Sequence, residues 1–253
     1  MTIDSTNLPK HVGIIMDGNR RWAVNHGLGP VDGHRQAAKK TILPIVEEAV
    51  KLGIPYLTFW AFSTENKKRD TAELKGLFLI FRDALRDGLK TLEKRKIKIN
   101  ILGDINWFPK DIAYAVKALA RRTIKNKTLT VSFALNYGGR EEILRAIKKI
   151  IQKGEKVKDL TEEKFASYLD TVGIPDPDLI IRTGGDQRLS GFLPWQGVYA
   201  ELYFAKVFFP DFSPLEFKKA LVDFQARKRR FGGGTFTDYQ KIKKVQTSPV
   251  SFG

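Results

Sequence analysis

The sequence predicts an α/β domain with a mainly parallel sheet. Strand-sized apolar runs alternate with helix-sized amphipathic stretches along nearly the whole chain, and no repeat or low-complexity linker interrupts them. The apolar runs are 12–16, 56–62, 97–102, 129–135, 179–181 and 198–204, the last the least sharply drawn. Helix patterns occupy 33–52, 72–95, 109–126, 139–153 and 213–228. Pro44 falls inside the first helix and predicts a kink or a split there. In the second, Leu74, Leu77, Phe78, Phe81, Leu85, Leu89 and Leu92 form one apolar stripe, with Leu79, Ile80 and Ala84 beside it. That stripe suits a deeply packed helix, or one wall of an apolar cavity or subunit contact. Pro109 opens the third helix, Thr161 caps a short one, and Ser213-Pro214-Leu215-Glu216 is a capping box opening the last. Residues 1–10 read as an extension, 11–233 as one domain and 234–253 as a flexible tail.

Composition narrows the function. The 253 residues carry 44 Lys and Arg against 28 Asp and Glu, a formal charge of +16. Apolar residues at 42% provide for a real core, so a wholly disordered basic chain is excluded. The absence of cysteine removes disulfides, iron–sulfur clusters and thiolate zinc sites. No apolar run approaches the roughly 18 residues of a membrane span, and the polar start MTIDSTNLPK is unlike a signal peptide. A soluble, cytoplasmic protein is expected. Its charge excess points to nucleic acid, an acidic membrane surface or an anionic substrate.

The candidate chemistry lies at strand ends, where open parallel sheets bind ligands. The first strand runs into Asp17-Gly18-Asn19-Arg20-Arg21. Asp17 is placed to hold a hard cation, Gly18 to let backbone approach an anion, and the two arginines to grip phosphate. The ordinary alternative is an aspartate capping a helix beside two solvated arginines. The second strand ends in Ser63-Thr64-Glu65-Asn66-Lys67-Lys68-Arg69, equally a simple strand-to-helix loop. Asn136-Tyr137-Gly138-Gly139-Arg140 follows the fourth, where the glycines need do no more than turn the chain. The strongest segment is Arg182-Thr183-Gly184-Gly185-Asp186-Gln187-Arg188-Leu189-Ser190, because guanidinium forks and a hydroxyl suit a diphosphate. Glu201, in an aromatic strand, reads as a metal ligand or as an exposed edge residue. No H-E-x-x-H, G-x-S-x-G or Walker loop occurs, so zinc peptidases, hydrolase triads and P-loop enzymes find no support.

These blocks together resemble the cis-prenyltransferases, the family of undecaprenyl diphosphate synthase. The resemblance rests on H-V-G-I-I-M-D-G-N-R-R-W-A at 11–23, G-H at 33–34, F-S-T-E-N at 62–66, N-Y-G-G-R at 136–140, I-R-T-G-G-D-x-R-x-S at 181–190, W-Q at 195–196, Y-A-E-L-Y-F at 199–204 and R-K-R-R-F-G-G at 227–233. It implies a six-stranded, mainly parallel sheet flanked by helices, an apolar substrate tunnel, a homodimer and Mg²⁺-dependent chain elongation. Isopentenyl diphosphate would be condensed with an allylic diphosphate such as farnesyl or geranylgeranyl diphosphate. The resemblance assigns catalytic positions to Asp17, Asn19, His34 and Asn66, and metal binding to Asp17 and Glu201. It assigns the allylic substrate and its mobile loop to Gly18, Asn19, Arg20, Arg21, Trp22, His34, Ser63, Glu65, Asn66 and Arg69. Isopentenyl diphosphate falls to Arg182, Arg188 and Ser190, and 227–233 to closure from a partner subunit. Pro30, Lys67, Asp70 and Gly191 depart from the common pattern, where arginine, tryptophan, proline and asparagine are frequent. A nucleic-acid-binding protein would explain the charge, but its basic residues are dispersed and no aromatic RNA motif is present, so no nucleic-acid partner is expected. A noncatalytic relative would lack the metal carboxylate, whereas Asp17 is present. Peripheral contact with anionic lipid is expected from the remaining charge.

Overall fold

The computed structural model describes residues 2–227, with backbone alone for 87–94. The expected tail 234–253, the motif positions 228–233 and the side chains of Leu89 and Leu92 lie outside the described residues. Six parallel strands form one sheet: β1 (His11–Ile15), β2 (Tyr56–Ser63), β3 (Ile97–Leu102), β4 (Leu129–Tyr137), β5 (Leu179–Arg182) and β6 (Glu201–Phe204). Their spatial order is β3-β4-β2-β1-β5-β6. β1 is central, with Ile15 in register with Trp60 of β2 on one side and with Arg182 of β5 on the other. The loops leaving β1 and β5 therefore emerge side by side, at the kind of crevice where such sheets bind ligands.

Both faces of the sheet are covered, as an all-parallel sheet requires. On β1, Val12 and Ile14 point into a core shared with Ile45 and Val46 of α3 (Ile42–Leu52) and Phe217 and Leu221 of α8 (Pro214–Ala226). Ile15 points to the other face, where Tyr137, Phe192 and Leu193 pack. Gly13 must lack a side chain there, since a Cβ would stand 2.9 Å from the Phe192 ring. A third core joins Leu77 and Ile80 of α4 (Thr71–Lys94) to Phe62, Phe108 and Ile112. Each fully buried residue of this size contributes about 1.5–3 kcal/mol of transfer free energy, so these layers hold the strand ends in place.

Two boundaries differ from the sequence expectation. The pattern over 33–52 resolves into α2 (Pro30–Gln36), one π-helical stretch (Ala37–Thr41) and α3. Pro44 lies three residues into α3, lacks an N–H and crowds the carbonyl four residues earlier, at Lys40. The irregularity therefore falls in the turn before the proline, not at it. The last strand is also shorter than 198–204. Val198 and Tyr199 are exposed in a turn, and pairing begins only at Glu201. Among the described residues no helix is long and apolar enough to cross a membrane.

Candidate active site

Asp17 is held by its own backbone. Its N–H donates to the Thr183 hydroxyl at 3.0 Å, and its carbonyl accepts from that hydroxyl at 2.7 Å and from Phe209 N–H at 3.0 Å. Gly18 follows at φ 99°, where a Cβ would lie 2.5 Å from Phe208. Only glycine meets both demands. The Asp17 carboxylate takes Arg182 Nη2 at 2.8 Å and Arg21 Nη2 at 3.1 Å. Burial pushes this carboxyl upward, but Arg182, with Arg21 beside it, outweighs that and holds it below its ordinary value. Asp17 is therefore ionised and only partly covered.

On one side of Asp17 stand Arg182, Arg188 and Ser190. Arg182 is 5% exposed and donates through Nη1 to Ser190 Oγ at 2.8 Å and to the Arg188 carbonyl. Ser190 sits at φ 52°, an uncommon conformation for a non-glycine residue. Asp186 lies among the cations: its Oδ2 is 2.5 Å from Arg188 Nη2, 3.3 Å from Arg182 Nη2 and 3.9 Å from Arg21 Nη2. Gly184, at φ 86°, lets this loop pass Arg21, whose Nη2 would be 2.7 Å from a Cβ there.

On the other side is a cavity of about 520 Å³ lined by Asp17, Gly18, Asn19, Arg20, Arg21, His34, Arg69 and Phe208, among others. Arg69 donates to Glu73 Oε1 at 2.8 Å and faces His34 Nε2 at 3.2 Å. Burial, then the charges of Arg69 and Arg20, push His34 down to about 3, so it is a neutral imidazole. Gly33 brings it there. A Cβ at Gly33 would be 1.9 Å from the Asn19 carbonyl, so α2 crosses tightly over α1 (Asn19–Asn25). Met16, Asn19, His34 and Arg69 also line a second cavity of about 590 Å³, whose wall is otherwise mainly apolar. Leu77, Ile80, Phe81 and Leu85 of α4 face it, with Ile101 and Phe133 from the sheet and Ala37 and Ala38 from the π-helical stretch. Phe78 does not. It packs against Trp107 and Phe108.

The structure thus gathers Asp17, Gly18, Asn19, Arg20, Arg21, His34, Arg69, Arg182, Arg188 and Ser190 around one rim. Asn66 lines the apolar cavity and accepts the Ser63 N–H at 3.0 Å, closing the turn Thr64–Lys68. Besides Ser63, which lines neither cavity, three named residues stand apart. Trp22 donates to Asp211 at 2.9 Å and stacks on His26, away from the lining. Glu65 is exposed on the turn. Glu201 pairs with Arg227 at 2.8 Å, at the strand end opposite Asp17. Its register partner Leu179 pairs with Val12, five residues before Asp17. At about 3.3 Å per residue that is roughly 16 Å along the sheet, so one chain does not bring Glu201 to Asp17. Among the described residues no group of three or more His, Asp or Glu is arranged to hold a metal. An ionised, accessible Asp17 fits Mg²⁺ held by one carboxylate with substrate phosphate and water.

Residues 15–232 match the family described as putative undecaprenyl diphosphate synthase. The chain belongs to that family. An isoprenyl transferase of Clostridium perfringens is 45% identical over 230 residues, covering 89% of this chain and 90% of its own length. The ditrans,polycis-undecaprenyl-diphosphate synthase ((2E,6E)-farnesyl-diphosphate specific) of Haemophilus influenzae is 42% identical over 235 residues, covering 91% and 98%. Among solved structures, lavandulyl diphosphate synthase from Lavandula x intermedia in complex with dimethylallyl diphosphate aligns with TM-score 0.86 at 36% identity, covering 90% of this chain and 99% of that one.

The family's N-Y-G-G-R block has a different task from a phosphate turn. A Cβ at Gly139 would lie 2.0 Å from Pro194, and its N–H donates to the Gly191 carbonyl at 2.9 Å. Tyr137 OH donates to Glu142 Oε2 at 2.6 Å, and Gln196 donates to the same oxygen at 3.1 Å. The block therefore seats the segment 191–197 behind Arg188 and Ser190. Glu142 escaped the sequence reading, whose one pointer to this seat was the W-Q pair. Two departures from the family pattern also find their reason. Asp70 Oδ1 accepts the Glu73 N–H at 2.8 Å and so caps α4, while Gly191 at φ 88° occupies a conformation that both glycine and asparagine adopt.

Proposed function

We propose that this chain is a cis-prenyltransferase that condenses isopentenyl diphosphate with an allylic diphosphate such as farnesyl or geranylgeranyl diphosphate. The product is a long-chain Z-polyprenyl diphosphate, precursor of a glycosyl carrier lipid. One observation carries the reading: two guanidinium clusters meet at Asp17, and an apolar cavity opens beside the one built from Arg20, Arg21 and Arg69. Two anionic head groups and one apolar tail match that arrangement.

The allylic C–O bond breaks and its electron pair leaves with the diphosphate. The isopentenyl double bond attacks the allylic carbon, forming the new C–C bond, and the resulting cation gives a proton to the released diphosphate, leaving the cis alkene. Arg20, Arg21 and Arg69 stabilise the departing charge with donors already in place. Arg182, Arg188 and Ser190 fix the second diphosphate, converting encounter into a positioned reaction. Mg²⁺, when bound, neutralises charge on the leaving group, and Asp17 would hold it together with substrate oxygens. His34, neutral and facing Arg69, orients that arginine and adds no charge of its own. Each methylene buried by the growing chain is worth about 0.8 kcal/mol, so the apolar cavity favours elongation until its space is filled.

The reading includes a homodimer and a cytoplasmic protein that touches anionic membrane. The dimer is supported by Leu144, Ile147 and Ile151, exposed at helical spacing on α6 (Gly139–Gln152). Radiolabelled isopentenyl diphosphate, Mg²⁺ and farnesyl diphosphate incubated with the protein, followed by chromatography, should give a ladder of polyprenyl diphosphates. No incorporation overturns the reading. Sedimenting the same mixture with phosphatidylglycerol vesicles should carry the protein down, and equal recovery with neutral vesicles removes the membrane part.

A further inference from the structure

Among the described residues, Asp186 is the one acidic side chain reaching into the cluster assigned to isopentenyl diphosphate that the mechanism leaves unused. Its Oδ2 alone faces three guanidinium groups, those of Arg188, Arg182 and Arg21. A single oxygen shared by three converging cations occupies the position a phosphate oxygen would take. Asp186 does not have to be there to orient Arg182. That side chain is fixed by Asp17 Oδ2, Ser190 Oγ and the Arg188 carbonyl. Nor does the loop depend on its side chain, because Gly184 and Gly185 donate to the Val207 and Ala205 carbonyls at 2.8 and 3.0 Å.

Resting on the proposed function, we propose that Asp186 is an internal competitor for the diphosphate of isopentenyl diphosphate. Its carboxylate shields the arginines between turnovers and is displaced when a diphosphate binds. Every anion entering must displace the same carboxylate. A diphosphate replaces it with several oxygens across Arg182, Arg188 and Ser190, whereas a monophosphate offers fewer. Asp186 thus lowers the affinity for diphosphate and for the smaller phosphate by a common factor, and the preference between them stays with the number of oxygens each presents.

The sign of one substitution decides it. Binding of inorganic pyrophosphate and of inorganic phosphate is measured by calorimetry in EDTA, for the wild type, Asp186→Asn and Asp186→Ala. Partly exposed ion pairs are individually weak, so losing this contact should tighten pyrophosphate by roughly five-fold. Phosphate should gain by a similar factor, leaving the preference for pyrophosphate unchanged. The gain should shrink at high salt and largely disappear in an Arg188→Gln background. Unchanged or weaker pyrophosphate binding by both folded Asp186 variants overturns the proposal, since it marks a buttress for Arg188. If the wild type binds neither pyrophosphate nor isopentenyl diphosphate, the proposed function falls as well.

Discussion

A buried threonine and a buried histidine show how single side chains fix this site and its stability. Thr183, fully buried, stitches the loop after β5 to the backbone of Asp17. The sequence displayed Asp17, Arg182 and Arg188 because charged residues at strand ends stand out by type. It did not display Thr183 or Asp186, whose roles come only from what they touch. Trp22 and Glu65 show the converse: they belong to a recognisable block, yet one is committed to packing and the other to solvent. His11 pins the opposite end of β1. Its Nδ1–H donates to the Pro175 carbonyl at 2.7 Å, and Nε2 accepts from the Thr58 hydroxyl at 2.8 Å. Burial pushes it down to about 4 from 6.5, despite the Pro175 hydrogen bond. The unfolded chain therefore takes up this proton first, and stability falls as pH drops below about 6.5 until the loss levels off near 4. At pH 5 the expected loss from His11 is about 2 kcal/mol. His34 acts in the same direction. Urea midpoints at pH 7.5 and pH 5 should differ less in His11→Gln than in the wild type. An equal difference contradicts the assignment.

Among elements, α4 is plain in the sequence as a helix but not in its orientation. Its apolar spacing is plain, but apolar residues on more than one face leave two partners possible. The structure divides them. Leu77, Ile80, Phe81 and Leu85 line the apolar cavity, and Phe78 turns toward Trp107 and Phe108. Spacing along one helix carries no information about which neighbour covers which face. Leu85→Ala should lengthen the product and Leu85→Phe should shorten it, as resolved by chromatography of the polyprenyl ladder. Phe78→Ala should leave the ladder unchanged while costing about 2 kcal/mol of stability, below the range for a fully buried phenylalanine. A ladder that moves with Phe78 and not with Leu85 contradicts this placement. The π-helical stretch at Ala37–Thr41 was hidden for a related reason: Pro44 announces that the backbone must yield, but packing chooses where.

For the whole molecule, the alternation of strand and helix made the fold class legible. The strand order was not, because pairing is a long-range property. That order sets β1 between β2 and β5, and so puts the Asp17 loop between the two arginine clusters. Glu201 does not join the site within one chain. The resemblance places it with the metal, yet it stands across the sheet from Asp17. If α6 forms the subunit contact, Ile147→Glu with Ile151→Glu should give a monomer by sedimentation velocity, with folding retained by circular dichroism. A wild type that is itself monomeric rejects the dimer. The central claim is that Asp17, between two guanidinium clusters, serves transfer from an allylic to an isopentenyl diphosphate. Its most direct measurement is the rate of isopentenyl incorporation into product, with farnesyl diphosphate and Mg²⁺, by the wild type and by Asp17→Asn. Elongation by the wild type, reduced at least about 100-fold in Asp17→Asn, is the predicted result. A wild type that incorporates nothing, or an Asp17→Asn variant that elongates as fast, would contradict it.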